Sequence, residues 1–244
     1  MYISTKAILL HKTKYGDNSL IVKLFTEKTG TQSFIIKNAF SKKSKFHYTL
    51  FSPLALLEIT YNQRKSGEIQ FLKDIRIAHH FTQIPFDIVR NTILLFYNEI
   101  LYKLLFQYGE DAVLYQFMEG SVLEIDKQDV ILSDIHIKFL VSLSCLVGFA
   151  PQPNHTNRNI YFSIQNACFL DTFHAGDSLS QEASLYLFQI LSHLENPKTV
   201  APAPKTVRTE LLYGLVKYFE IHNEGIKKIE SLEILSQILL PVQK

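Results

Sequence analysis

The sequence predicts an α+β fold in which a five-stranded barrel precedes an all-helical domain. Residues 1–82 contain five short runs of β-branched and aromatic residues separated by turn-forming residues. From Pro85 onwards, apolar residues recur at the helical spacing of 3.6. With 47% hydrophobic residues in a chain of 244, the protein can bury a substantial core. We therefore expect two domains, residues 1–82 and 83–244.

The strands of the first domain are predicted at residues 3–13, 19–26, 31–37, 50–61 and 68–77. Gly16 and Gly30 lie in the first two turns, where glycine readily adopts a positive φ. Pro53 belongs near the start of the fourth strand, where its missing N–H group does no harm. Five short strands without a helical interruption favour an OB-fold, a Greek-key barrel that presents strands 2 and 3 and adjoining loops to oligonucleotides.

The helices of the second domain are predicted at residues 86–108, 112–125, 133–148, 180–194, 206–222 and 229–240. Ser133 is the expected N-cap of the third helix, and Gly148 is its expected end. Residues 160–173 are too rich in β-branched and aromatic side chains for a helix. They predict a short hairpin or an extended excursion between helices.

Charge is unevenly distributed along the chain. Residues 1–82 carry thirteen Lys and Arg against five Asp and Glu, whereas the remainder carries twelve against eighteen. The near-neutral whole therefore conceals a basic part with a net charge of +8 and an acidic part with −6. Such asymmetry favours a nucleic-acid or acidic partner for the basic part.

Residues 37–47, KNAFSKKSKFH, form the most basic stretch of the chain. Lysines neutralise phosphates, and aromatic rings between them offer faces on which unpaired bases stack. A solvated turn is the alternative interpretation, because short lysine clusters are weak motifs. Tyr15, Phe40 and Phe46 are candidate stacking rings, with packing in the barrel core as their alternative. The full candidate nucleic-acid interface comprises Lys12, Lys14, Tyr15, Lys37, Phe40, Lys42, Lys43, Lys45, Phe46, Arg64 and Lys65.

The motifs of common catalytic sites are absent from the sequence. It has no Gly-rich phosphate loop, no G-x-S-x-G elbow and no H-E-x-x-H pair, so we expect a protein that is not an enzyme. Asp126, Asp129 and Asp134 straddle a loop and a helix start. We interpret them as helix caps and a solvated face, because aspartate at such positions hydrogen-bonds locally.

Cys145 and Cys168 are too far apart in sequence for a C-x-x-C zinc or redox pair. Such sparse cysteine usage is typical of a reducing cytoplasm. The longest apolar runs are too short to cross a bilayer, and no secretory signal opens the sequence. We therefore expect a cytoplasmic, unprocessed protein without a cofactor.

Several ordered motifs resemble the RecO family of bacterial recombination mediators. The N-terminal motifs are TKAILL at residues 5–10, YGD at 15–17, FTE at 25–27, KNA at 37–39 and FSPL at 51–54. Further on, LVGFAP at residues 146–151 is similar to the family's helix end, and IESLEIL at 229–235 is similar to its C-terminal segment. The set covers most of the chain in the family's order.

The resemblance implies an OB-fold joined to a helical domain and a role in DNA repair and recombination. Family members of this kind would bind single- and double-stranded DNA and anneal complementary strands. With RecR and the single-stranded-DNA-binding protein, they would help to load RecA at gaps, in association with the nucleoid. Many members carry a four-cysteine zinc site, whereas residues 152–178 of this chain contain only Cys168. We therefore expect no structural zinc here.

Binding of the acidic, aromatic-ended tail of a partner would need an apolar pocket rimmed by cations. Candidates on a helix of the second domain are Lys205, Arg208, Leu211, Leu212, Leu215 and Lys217.

Two other classes of function remain open from the residues alone. An OB-fold with a basic loop can bind RNA, because discrimination depends on contacts to the 2′-hydroxyl group. The chain could also be an interaction scaffold whose basic barrel docks an acidic protein.

Overall fold

The computed structural model describes residues 2–41, 44, 46–63, 68–195 and 199–239. The chain forms two compact units, residues 1–128 and 129–244. Among these described residues, the first unit holds a barrel and two α-helices, and the second holds four α-helices and a small hairpin. The predicted boundary at residues 82 and 83 separates strands from helices, whereas the packing groups the first two helices with the barrel. As a domain boundary it stays a prediction.

The strands of the barrel are β1 (Tyr2–Tyr15), β2 (Ser19–Thr26), β3 (Gly30–Ile36), β4 (Leu56–Asn62) and β5 (Gln70–Ile77). They close in the order β1-β2-β3-β5-β4, and every neighbouring pair is antiparallel except β3 with β5. The five-stranded barrel followed by helices confirms the predicted fold class. The fourth strand begins later than predicted, since Tyr48–Leu50 form a 3₁₀ turn and the chain then passes Pro53 outside the sheet.

The barrel core follows from the alternation of side chains along each strand. In β2, Leu20, Val22 and Leu24 are buried, so the residues between them face outwards. Phe34 and Tyr61 meet edge to face in the core, with ring centroids 5.1 Å apart. The inward positions are therefore filled by apolar side chains, and the outward positions remain for other contacts.

Two helices complete the first unit, α1 (Ile88–Leu104) and α2 (Ala112–Ile125). The first begins two residues later than predicted because Asp87 is its N-cap and accepts hydrogen bonds from the N–H groups of Val89 and Arg90. It also ends earlier. The chain after Leu105 instead lies along β3, where the backbone N–H of Thr31 donates to the carbonyl of Tyr108 at 2.9 Å.

Asp126 corrects the expectation of a solvated carboxylate. Its side chain is buried and accepts hydrogen bonds from the backbone N–H groups of Thr82, Gln83 and Ile84. The Nε2 atom of His79 lies 3.1 Å from its Oδ2 atom. We call this group of contacts the Asp126 clamp. It joins the end of α2 to the segment that leads from the barrel into α1.

The second unit contains α3 (Ile135–Leu146), β6 (Tyr161–Ser163), β7 (Cys168–Leu170), α4 (Gln181–Ser192), α5 (Lys205–His222) and α6 (Ser231–Leu239). The β6–β7 pair confirms the predicted hairpin. Within the described ranges, no helix is long and apolar enough to span a membrane.

Asp134 shows a second difference from the expectations. It, and not Ser133, occupies the N-cap position of α3, and its side chain makes no capping hydrogen bond. The carboxylate is buried, with Lys138 Nζ at 2.9 Å and the hydroxyl of Tyr186 at 2.6 Å. The expected solvated face is therefore wrong for Asp126 and Asp134, while Asp129 is exposed.

Candidate nucleic-acid interface

The β1–β2 turn and the loop after β3 lie at one end of the barrel. Tyr15 pairs with Ser19, and Leu20 pairs with Ile36. These pairings bring the turn and the loop together, and we call this region the loop end. Five of the predicted residues lie outside the described residues, namely Lys42, Lys43, Lys45, Arg64 and Lys65.

The described cations of the loop end are exposed but differ in their surroundings. Lys12 Nζ donates to the carbonyl of Phe51 at 2.6 Å, which fixes the side chain. Lys14 Nζ lies 5.9 Å from the centre of the Phe40 ring, and Lys37 Nζ lies 5.6 Å from that of Phe71. Cations near ring faces are attracted by the ring quadrupole. These lysines therefore contact rings at the surface.

The three predicted stacking rings occupy different environments. Phe46 packs against the barrel core, so its alternative interpretation applies. Tyr15 is 57% exposed and Phe40 is 39% exposed. Phe40 stacks on Tyr48, with ring centroids 5.5 Å apart. The ring of His47, the residue before Tyr48, packs against the same tyrosine with ring centroids 4.5 Å apart. His47 belongs to the basic stretch 37–47, but neither His47 nor Tyr48 was predicted as a site residue, although they are the two residues after Phe46.

The outward surface of β2, β3 and β5 adjoins the loop end. Ile21 pairs with Ile35, and Ile35 pairs with Phe71, so the three apolar side chains form one row across the strands. Lys37 follows two residues after Ile35 and is exposed. Lys73 follows two residues after Phe71 and is also exposed, but its Nζ atom lies 4.2 Å from the centre of the Tyr2 ring of β1, on the other side of β4. We call Ile21, Ile35, Lys37 and Phe71 the β2–β3–β5 face. This face could have been recognised in the sequence from the isoleucines at outward positions of β2 and β3.

One side of this face is closed by the segment that follows α1. Lys23 Nζ donates to the carbonyl of Phe106 at 3.0 Å and lies 3.5 Å from the centre of its ring. Burial lowers the pKa of Lys23 below its ordinary value. A Cβ atom on Gly30 would lie 2.4 Å from the carbonyl carbon of Gly109, so the segment and the barrel meet backbone to backbone. The open part of the face is therefore its side towards the loop end.

The outward surface of β1, β4 and β5 has a different character. Lys6 pairs with Glu58, which in turn pairs with Arg76, and a groove across this surface is lined by three cations and three acids. Lys6 Nζ also contacts Glu119 at 3.0 Å, and Arg76 Nε lies 3.6 Å from Asp74. Acids offset the cations of this surface, whereas described lysines near the loop end contact rings. Of these two surfaces, the one near the loop end offers cations to phosphates and apolar surface to bases.

The predicted tail pocket is not formed on α5. Leu211, Leu212 and Leu215 are buried in the core of the second unit and cannot line an exposed pocket. Arg208 donates to the carbonyl of Ser133, and Lys217 donates to that of Gly176 at 2.6 Å. Lys205 is exposed at the start of the helix. Leucines spaced at 3.6 residues face the core because the helix buries one side.

Hydrogen bonds occupy several polar side chains of the β6–β7 hairpin region. Asp177 accepts hydrogen bonds from the hydroxyl of Ser163 at 2.5 Å and from the backbone N–H of Gln165 at 2.7 Å, and Asn166 donates to the same hydroxyl. Hydrogen bonds thus close the turn near Cys168. In the part of the chain that the structure describes, no three His, Cys, Asp or Glu side chains are grouped to hold a metal ion.

The closed barrel and its helical continuation define a protein of the oligonucleotide-binding fold class. The family described as Recombination protein O N terminal matches residues 1–81, and that described as Recombination protein O C terminal matches residues 85–230. The chain therefore belongs to the RecO family of DNA repair and recombination proteins, which confirms the resemblance found in the sequence.

Curated relatives agree along almost the whole chain. A DNA repair protein RecO from Flavobacterium psychrophilum is 33% identical over 240 residues, with 98% of this chain and 99% of the relative covered. The proteins of the same name from Flavobacterium johnsoniae and Bacteroides fragilis are 31% and 29% identical, with the same coverage.

Proposed function

We propose that the barrel binds DNA through the loop end and the adjoining β2–β3–β5 face. The observation that carries this proposal is the row of Ile21, Ile35 and Phe71, with Lys37 beside it and Lys14 at the loop end. Apolar side chains and a ring support bases, while the lysines lie where a phosphate backbone would run. Family membership favours DNA as the nucleic acid.

The proposal is tested by the salt dependence of DNA binding. Changing Lys14 and Lys37 together to alanine is expected to make the log-log salt slope shallower by about 1.4 to 1.8, because each lost phosphate contact removes about 0.7 to 0.9. The measurement is the affinity of the whole protein for a fluorescent single-stranded oligonucleotide across a salt series.

The matched control changes Lys28 and Arg76, two cations of the β1–β4–β5 surface, to alanine. This variant loses the same charge but is expected to keep most of the slope, because those cations lie among acids. Equal effects of both variants would mean that only net charge matters. Negligible binding of the unchanged protein at low salt would instead favour an interaction scaffold.

Competition between matched DNA and RNA oligonucleotides tests whether the protein prefers DNA. We expect DNA to compete at least as well as RNA, because the proposed contacts to bases and phosphates need no 2′-hydroxyl group. A clear preference for RNA would contradict the proposal.

We further propose that the protein acts as a mediator and not as an enzyme. Screening of phosphates lets complementary strands approach, so annealing needs no covalent chemistry. Engagement of RecR and the single-stranded-DNA-binding protein, loading of RecA at gaps and association with the nucleoid in the cytoplasm are proposed from family membership alone. The sequence suggested an apolar pocket for a partner's tail on α5. Because the leucines of this helix are buried, they do not support that placement.

The fold of the second unit is proposed to hold without zinc, because Asp177, Ser163 and Asn166 close the hairpin by hydrogen bonds. We expect the purified protein to contain far less than one zinc ion per chain. A chelator should leave its unfolding temperature unchanged, since a structural zinc would contribute folding free energy directly. Elemental analysis together with thermal unfolding checks both expectations, and a drop in unfolding temperature with the chelator would contradict them.

A further inference from the structure

We propose that Phe40, Tyr48 and His47 form a stacking platform for an unpaired base, so that the loop end selects single strands over duplex DNA. This inference rests on the proposed function and assigns to the same site a group of residues that determines its specificity. We call the three residues the aromatic stack.

The loop is built to hold these rings outwards. The backbone N–H of Tyr48 donates to the carbonyl of Ala39 at 3.0 Å, which ties the two arms of the loop together. Ala39 is fully buried, and Phe46 packs against the barrel core. One residue in each arm thus anchors the loop, and the neighbouring rings of Phe40 and Tyr48 remain outside.

The turn at the start of the loop reinforces this arrangement. Asn38 has a φ of 55°, a left-handed conformation that asparagine tolerates better than most residues. The N–H of Ser41 donates back to the carbonyl of Asn38 at 3.0 Å. The reversal sends Ala39 into the core and Phe40 to the surface.

The three rings pack in a row in which Tyr48 contacts both Phe40 and His47. Phe40 and Tyr48 are 29° from parallel, and each is about two-fifths exposed. His47 is tilted by 44° against Tyr48, and its Nδ1 atom lies 3.0 Å from the hydroxyl of Thr49. Rings that had only a packing role could turn into the core as Phe46 does. Their exposed surface is therefore available to a base.

Charge places a phosphate beside this surface. Lys14 Nζ lies 5.9 Å from the centre of the Phe40 ring, on a strand end next to the loop. A nucleotide has a base and a phosphate close together, and this pairing of ring and ammonium matches both. In a duplex, the bases already stack and pair with each other, so the rings gain contact only with an unpaired base.

The experiment compares single-stranded and duplex binding at one salt concentration. The probes are an oligonucleotide with one 2-aminopurine, whose fluorescence reports stacking, and a blunt-ended, fully paired duplex of matched length. Changing Phe40 and Tyr48 together to leucine keeps apolar volume but removes both rings. Single-strand affinity is expected to fall at least about fivefold, since stacking on one aromatic side chain contributes roughly 1 to 3 kcal/mol per base.

Two further variants control for folding and for general loss of aromatic surface. Tyr48→Phe keeps the ring and should preserve both affinity and the fluorescence change. Phe86→Leu removes a ring that is 88% exposed outside the barrel, and it should change neither. Duplex affinity and the salt slope of the double leucine variant should stay near those of the unchanged protein, because no cation is removed.

The outcomes separate this inference from the proposed function. If the unchanged protein binds with a steep salt dependence and the double leucine variant binds both probes equally well, the aromatic stack is a surface feature only and the inference fails. An equal loss on both probes also overturns it. If the unchanged protein binds neither probe at low salt, the proposed function fails as well.

Discussion

Replacing Asp126 with alanine is expected to lower the free energy of unfolding of the first unit by about 3 to 5 kcal/mol. The carboxylate is only 6% exposed, and its loss would leave three backbone N–H groups at the entrance to α1 without their acceptor. Urea unfolding followed by circular dichroism measures the change.

The acid dependence of the same contact follows from the pKa of Asp126. Burial alone would raise this pKa, but hydrogen bonds from the backbone N–H groups of Ile84, Thr82 and Gln83 and from His79 outweigh it and lower the pKa to about 2. Because the folded pKa is below the ordinary value of 3.8, the stabilisation is present above about pH 4. It is lost as the pH falls towards 2, so the variant should differ least from the unchanged protein in strong acid.

His79→Ala provides the matched control for the Asp126 clamp. It removes one contact to the same carboxylate but leaves the backbone donors in place, and the His79 side chain is 38% exposed. We expect a loss of less than about 1 kcal/mol. A comparable loss in both variants would show that the backbone contacts contribute little.

The second large effect is expected in the pH dependence of stability. We expect His136 in α3 to make the second unit less stable in mild acid. Burial, together with the smaller effect of the positive charge of Arg208, lowers the pKa of His136 to about 3. The folded state therefore keeps the imidazole neutral, while the unfolded state takes up a proton below about pH 6.5. Between these values, stability should fall by about 1.4 kcal/mol for each pH unit of acidification through this residue.

His136→Leu should remove this contribution. Its Nδ1 atom is buried without a hydrogen-bond partner among the described residues, so an apolar replacement leaves no new unsatisfied acceptor. Urea unfolding of both proteins at pH 7, 6 and 5 gives the slopes to compare. His174→Leu, at an exposed site, should keep the slope of the unchanged protein. Identical slopes for His136→Leu and the unchanged protein would show that the histidine does not titrate on unfolding.

The sequence predicted the elements with strong local signals. The alternation in Ser19–Thr26 and the helical spacing in Ala112–Ile125 gave their bounds directly. The C-terminal end of α1 and the start of β4 were misplaced, because their limits depend on distant partners. The carbonyl of Tyr108 pairs with Thr31, and Pro53 lies in a turn that packs against β1. Periodicity carries no information about such partners.

The candidate site also combines residues that the sequence predicted with features that only the structure shows. The lysines of residues 37–47 could be named from composition, and strand pairing then explains why their loop meets the β1–β2 turn. Which rings would be exposed could not be predicted. Phe40 and Phe46 have the same chemistry, and only the backbone reversal at Asn38 and the packing of each arm separate them.

The sequence alone therefore determined the class of fold, the basic character of the barrel and the family. These depend on the local order of residue types, which the chain displays directly. Only the tertiary structure decided that Asp126 is a buried acceptor, that the leucines of α5 face the core and that Phe71 joins Ile21 and Ile35 on one face. Burial and cross-strand neighbours arise between residues far apart in sequence, and a change of one residue in register would exchange the two faces of a strand.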